Sequence, residues 1–112
     1  MARRFGITTP INTQPSMVLG TSEARVIDMT QAFAAVAAKG RSITPYGISK
    51  VTTIDGETLY AAKPSSSVQL VDGWVAGAIT DLMQSAVAAG TGRAANIGRP
   101  VAGKTGTTSS NK

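Results

Sequence analysis

The 112-residue sequence contains no histidine and no cysteine. These two absences exclude a zinc, haem or iron–sulfur centre built from those side chains. They also exclude a Ser-His-Asp triad, a cysteine nucleophile and a disulfide framework. Aromatic residues make up only 4% of the chain, so a core built from it is light on large side chains. Acidic residues are few and scattered: Glu23, Asp28, Asp55, Glu57, Asp72 and Asp81. A hard-cation site needs clustered carboxylates, so no metal site is expected. No apolar run approaches the roughly 20 residues of a spanning helix, and runs such as Ala34 to Ala38 fall far short. The basic pair Arg3-Arg4 has no apolar segment behind it, so the start is not a complete signal peptide.

What is present narrows the field further. The formal charge is +5, and 42% of the residues are hydrophobic, which suits one small globular unit rather than a disordered chain. After Asp81 there is no acid, while Arg93, Arg99, Lys104 and Lys112 follow. An uncompensated positive field suits an anionic ligand; the plainer reading is a solvated basic surface. Few aromatics and no Lys/Arg cluster argue against nucleic acid as a partner. Acyl-transfer chemistry based on Ser, Thr and Lys remains open, and it needs no cofactor.

Periodicity divides the chain. Residues 1–22, with Gly6, Pro10, Pro15 and Gly20, read as an extended connector. Residues 23–39 read as a helix with Val26, Met29, Phe33 and Val36 on one stripe. Thr21 or Ser22 offers a cap, Lys39 lies in the last turn, and Gly40 suits the C′ position. Residues 48–60 alternate with a period of two around Asp55-Gly56, a hairpin signal. Pro64 and Ser65-Ser66-Ser67 form a loop. Residues 72–89 read as a second helix with Val75, Ala78, Ile79, Leu82, Met83, Ala86 and Val87 as its apolar stripe, Asp72 as N-cap and Gly90 as its stop. Trp74, in the first turn, is expected to pack.

Three motifs overlap near the end. Gly98-x-x-x-x-Gly103-Lys104-Thr105 matches the phosphate-loop pattern, in which backbone N–H groups and the lysine cradle phosphates. That pattern needs a strand before it and a helix opening at Lys-Thr. Residues 94–97 are too short and mixed for the first, and residues 106–111 are poor helix material. Ser109-Ser110-Asn111-Lys112 satisfies S-x-x-K, and its first three residues satisfy S-x-N. One serine cannot serve both motifs, and turn-prone residues give no helix to align it with Lys112, so these read as a solvated turn. The third motif is Lys104-Thr105-Gly106. K-T-G is one of three signatures of the serine–lysine acyltransferases.

K-T-G here stands within Val101-Ala102-Gly103-Lys104-Thr105-Gly106-Thr107-Thr108, and upstream segments agree with it. Leu19-Gly20-Thr21-Ser22-Glu23 with Asp28-Met29-Thr30-Gln31-Ala32-Phe33-Ala34, Ile54-Asp55-Gly56-Glu57-Thr58-Leu59-Tyr60 and Gly90-Thr91-Gly92-Arg93-Ala94 occur in matching order and spacing. Over nearly its whole length the chain resembles the transpeptidase domain of the class A, bifunctional penicillin-binding proteins. Arg25-Val26 departs from the Thr and Pro found there in many relatives.

The resemblance implies a mixed α/β fold, part of the penicillin-binding protein and serine β-lactamase-like fold. Its elements would be two amphipathic helices, a small hairpin and one active-site strand over about 101–108. It implies a peptidoglycan DD-transpeptidase acting on D-Ala-D-Ala stem peptides through an acyl-enzyme, with β-lactams as acylating mimics. By resemblance, Lys104 supplies positive potential and joins the proton network. Thr105, Gly106 and Thr107 bind substrate, and the Thr107 backbone N–H helps form the oxyanion hole. On an extended strand Thr105 and Thr107 share one face, and two hydroxyls beside an ammonium suit a carboxylate; ordinary strand propensity is the plainer reading of the same threonines. The family's nucleophile S-x-x-K and its S-x-N lie upstream of the segment resembled. Neither stands at a credible position here, so residues 1–112 are expected to be part of a transpeptidase domain, docked on its remainder and inactive alone. The parent is expected to be membrane-anchored with this domain on the outer side. Two rival readings are a nucleotide-binding module using Gly98–Thr105 and a non-enzymatic basic module binding anionic polymers.

Overall fold

The computed structural model describes residues 1–63 and 66–107. Its regular elements are α1 (Val26–Ala37), β1 (Lys50–Thr52), β2 (Thr58–Ala61) and α2 (Gly73–Ala88), with short 3-10 helices at Ala2–Phe5, Pro15–Leu19 and Arg93–Ala95. This is mixed α/β content: two helices packed on each other and one two-stranded antiparallel sheet. None of the described helices is long and apolar enough to cross a membrane.

Residues 1–22 are more structured than their turn-rich composition predicts. Two 3-10 helices form there and Ile7 is buried. The reason is Asp28, whose side chain on α1 gathers the segment. Asp28 is 2% exposed. Its Oδ2 accepts from the Thr8 backbone N–H at 2.8 Å and from Thr8 Oγ1 at 2.7 Å. Its Oδ1 accepts from Arg25 Nε at 3.2 Å and Nη2 at 2.8 Å, and Arg25 Nη2 also donates to Thr8 Oγ1 at 2.8 Å. Hydrogen bonds to the charged form favour it. The Thr8 backbone and hydroxyl donors first, then Arg25, hold the Asp28 carboxyl down at about 2.

This cluster also sets where α1 begins and which face it hides. The N-cap residue is Arg25, three residues later than the sequence pattern predicts, and its side chain does not cap. Thr21 and Ser22 instead bond to Asn12. The face turned inward carries Asp28, Gln31, Ala32 and Ala35, at helical spacing. The expected Val26, Met29, Phe33, Val36 stripe is therefore largely uncovered, with Val26 84% exposed. At the other end Lys39 lies beyond the last helical turn with φ 57, and Gly40 follows at φ 80. Lys39 N bonds to Val36 O and Gly40 N to Ala35 O, the paired pattern of a Schellman ending. The left-handed C′ position thus belongs to Lys39, and Gly40 is one place further on. Gly40 is nonetheless required, because a Cβ there would collide with the Val71 carbonyl.

The connection from α1 to α2 is stitched at its base. Ser42 N donates to Val68 O and Leu70 N to Gly40 O, both at 2.8 Å. Arg41 Nη2 donates to Ser67 O at 2.9 Å, and Gln69 Nε2 reaches Lys39 O at 2.9 Å. The hairpin projects from this base. Its register pairs Lys50 with Ala61, Val51 with Tyr60 and Thr52 with Thr58, so Leu59 is an extra residue at a bulge. The loop is Ile54-Asp55-Gly56: Gly56 N donates to Thr53 O, Thr53 N donates to Glu57 O, and Gly56 has φ 87. Every strand position is exposed.

In α2 Asp72 occupies the N-cap position without making a side-chain cap bond. The covered face is rotated from the expected stripe. Ala76 and Val87 are buried and Val75, Ile79, Thr80, Met83 and Ala86 half-buried, while Ala78 and Leu82 face solvent. Ala76, a small side chain, is the most buried residue of α2. Trp74 is 75% exposed and does not pack within the described residues. Two residues from Ala76 is a turn of roughly 200° about the helix axis, which puts Trp74 on the side opposite the buried Ala76. Phe5, Ala32, Phe33, Val36, Ile79 and Met83 line an open apolar groove of about 180 Å³ between the helices. The radius of gyration is 17.3 Å, against about 13 Å for a compact domain of this length.

Candidate active site

The segment carrying the K-T-G motif is held against the last two turns of α2. The helix ends with Ala89 N bonded to Ser85 O and Gly90 N to Ala86 O. The Ala86 carbonyl also accepts from Gly92 N at 2.9 Å, so Gly90-Thr91-Gly92 folds back over the helix end. A Cβ at Gly90 or Gly92 would come within 2.9 or 3.1 Å of that carbonyl. The glycines are there for this close approach, since Gly90 does not take the left-handed stop conformation.

After the 3-10 helix Arg93–Ala95, Gly98 N bonds to Asn96 Oδ1 at 3.0 Å and Gly98 takes φ 73. The chain then returns to α2. Val101, Ala102 and Gly103 are half-buried. Gly103 N donates to Met83 O at 3.3 Å, and Val87 lies beside Gly103. Lys104, Thr105, Gly106 and Thr107 are exposed beyond this anchor.

Residues 101–107 form no strand, contrary to the sequence expectation for 101–108; Thr108 lies outside the described residues. A strand needs a neighbour to satisfy its backbone groups, and among the described residues the only ladder, β1 with β2, belongs to the hairpin. The exposed segment carries its donors close together all the same. Lys104 Nζ donates to the Thr105 carbonyl at 2.7 Å, which holds the ammonium over the motif. Thr105 Oγ1 lies 3.0 Å from Thr91 Oγ1. The sequence pattern places Thr91 only in a turn and gives no sign of this contact.

The phosphate-loop spacing lacks both of its required neighbours. A 3-10 helix stands before it, and among the described residues no helix opens at Lys104-Thr105. The Ser109-x-x-Lys112 and Ser109-x-Asn111 matches lie outside the described residues.

Residues 15–112 match the family model for the penicillin-binding protein transpeptidase domain. The chain belongs to this transpeptidase family. Penicillin-binding protein 2D of Bacillus subtilis is 37% identical over an alignment covering 96% of this chain and 17% of that protein. Penicillin-binding protein 1A of Mycolicibacterium smegmatis is 39% identical, over 81% of this chain and 12% of its own length. The chain therefore spans less than a fifth of these relatives. The solved structure of the penicillin-binding protein PonA1 from Mycobacterium tuberculosis superposes with a TM-score of 0.66 at 27% identity, over 77% of this chain and 26% of PonA1. PonA1 in complex with penicillin V gives 0.64 at 28% identity, over 80% and 29%. The fold of the transpeptidase family thus extends over about three quarters of this chain.

Proposed function

We propose that this chain supplies the carboxylate-recognition edge of a peptidoglycan DD-transpeptidase. The observation that carries the reading is the exposed Lys104-Thr105-Gly106-Thr107 segment, anchored on α2 with an ammonium and two hydroxyls in four residues. Residues 82–112 contain no acid. A stem peptide ending in D-Ala-D-Ala presents a carboxylate there, and a β-lactam presents its own carboxylate in the same place. PonA1, a family member, has been solved with penicillin V.

Each residue then has a task. Lys104 supplies positive potential and takes part in proton movement with a serine outside this segment. The Thr105 and Thr107 hydroxyls donate to the carboxylate. Gly106, without a Cβ, lets substrate backbone approach. The Thr107 N–H donates to the developing oxyanion, a contact worth about 2.7–4 kcal/mol in a preorganised site. The uncovered apolar side chains Val26, Trp74 and Leu82 dock on the rest of the transpeptidase domain, and the domain works on the outer side of the membrane.

The test is competition. Full-length gene product is labelled with a fluorescent penicillin in the presence of a D-Ala-D-Ala peptide or its C-terminal amide. The free acid should suppress labelling and the amide should not. Equal suppression by both would remove the carboxylate from the argument.

A further inference from the structure

In the contact between Thr91 and Thr105 either hydroxyl can be the donor. Their Oγ1 atoms are 3.0 Å apart, and both residues are exposed. A hydroxyl carries one proton and two lone pairs. If Thr105 donates to Thr91, its only proton is used, and it turns lone pairs toward any arriving carboxylate. If Thr91 donates to Thr105, the Thr105 proton stays available for an anion.

We propose that Thr91 is a positioning residue for the carboxylate site: it donates to Thr105 Oγ1 and so aims the single Thr105 proton at the substrate carboxylate. This rests on the reading of residues 104–107 as that site. A hydroxyl that accepts a hydrogen bond becomes a better donor, so Thr91 sharpens Thr105 as well as orienting it.

The backbone explains why the two hydroxyls meet. Both segments are fastened to the same stretch of α2. The Ala86 carbonyl holds Gly90 N at 3.1 Å and Gly92 N at 2.9 Å on either side of Thr91, and the Met83 carbonyl holds Gly103 N. The separation of Thr91 from Thr105 is therefore referred to one rigid helix. The Lys104 ammonium bonds to the Thr105 backbone carbonyl at 2.7 Å.

The experiment measures acylation of full-length gene product by benzylpenicillin, resolved into an initial binding constant and an acylation rate constant, with the thermal midpoint of each variant. Thr91→Val keeps the shape and removes the hydroxyl. It should weaken initial binding by about 5- to 10-fold, the scale of one hydrogen bond, with an unchanged midpoint. Thr91→Ser should restore binding to within about twofold of the parent. Thr105→Val should weaken binding at least as much, and adding Thr91→Val to it should change little further, because the two act as a unit. Normal binding in Thr91→Val beside impaired Thr105→Val would overturn the role of Thr91. So would failure of Thr91→Ser to restore, or full additivity of the pair. Normal binding in both Thr105→Val and Lys104→Ala would instead overturn the carboxylate reading itself.

Discussion

Two places in the molecule use side-chain hydroxyls to hold a loop against a helical frame, and they are built oppositely. At Asp28 the carboxylate is buried and both its oxygens are paired, with Thr8 and Arg25 closing over it from the surface. Thr8 gives both its donors to the carboxylate, and Arg25 bonds to Asp28 and to the Thr8 hydroxyl. At Thr105 the contact is exposed and open. One hydroxyl meets another, an ammonium lies alongside, and no described carboxylate completes the set. A saturated polar cluster has nothing left for a ligand and serves the fold. A cationic, donor-rich cluster lacking its anion is where a ligand has something to add.

Four measurements break or sharpen this contrast, and the largest effect is all-or-none. The open cluster has donors but no activated nucleophile. Ser109 is the only serine with a lysine three residues on. The 112-residue chain incubated with a fluorescent penicillin and then denatured should carry no label on a gel. Label that unlabelled penicillin abolishes would place a working nucleophile here, and mapping it to Ser109 would make the terminal S-x-x-K functional.

Next is Lys104→Ala in full-length gene product. Removing a charge-assisted partner of a carboxylate costs about 1.5–3 kcal/mol, so penicillin acylation should slow by about 10- to 100-fold in a protein that still folds. Unchanged kinetics would leave Lys104 a solvated surface lysine.

The closed cluster should respond in structure. In the 112-residue chain Asp28→Asn should lower hydrogen-exchange protection of the Thr8 amide by about tenfold. It should also remove a pH dependence. The Asp28 carboxyl sits at about 2 when folded against an ordinary 3.8. A depressed carboxyl stabilises the fold above its unfolded value and loses that contribution as the pH falls through the folded one. Thr8 protection in the parent should therefore hold above pH 4 and fall between 4 and 2, while Asp28→Asn should be flat over that window. An identical acid limb in both would detach Asp28 from the anchoring of residues 1–12.

The smallest effect is Gly92→Ala. A Cβ 3.1 Å from the Ala86 carbonyl forces the turn to shift by a few tenths of an ångström. That moves Thr91 relative to Thr105 without touching the K-T-G segment, and penicillin binding by full-length gene product should weaken by about two- to fivefold. A loss as large as that of Lys104→Ala would mean the turn does more than place one hydroxyl.

Much of the local structure was legible in residue patterns. Alanine-rich helical spacing marks α1 and α2, and Asp55-Gly56 between β-formers marks the hairpin. Patterns misled where a polar group or a small side chain decides packing. Reading Val26, Met29 and Phe33 as the buried stripe of α1 follows hydrophobicity, whereas Asp28 and Ala35 are what the fold covers. The strand expected at 101–108 needed a ladder partner, which no local pattern supplies.

Residue identity by itself determined that these 112 residues supply no histidine and no thiol. It also determined that Lys104, Thr105, Gly106 and Thr107 stand together in an acid-free stretch. Only the tertiary structure decided that Thr91 faces Thr105, and that Thr8 and Arg25 close around Asp28. Thr91 and Thr105 are 14 residues apart, and Thr8 and Asp28 are 20 apart. Helical and strand periodicities relate neighbours only within a few residues. Contacts at those separations arise because the chain is fastened twice to a rigid helix, at Ala86 and Met83 in one case and along α1 in the other.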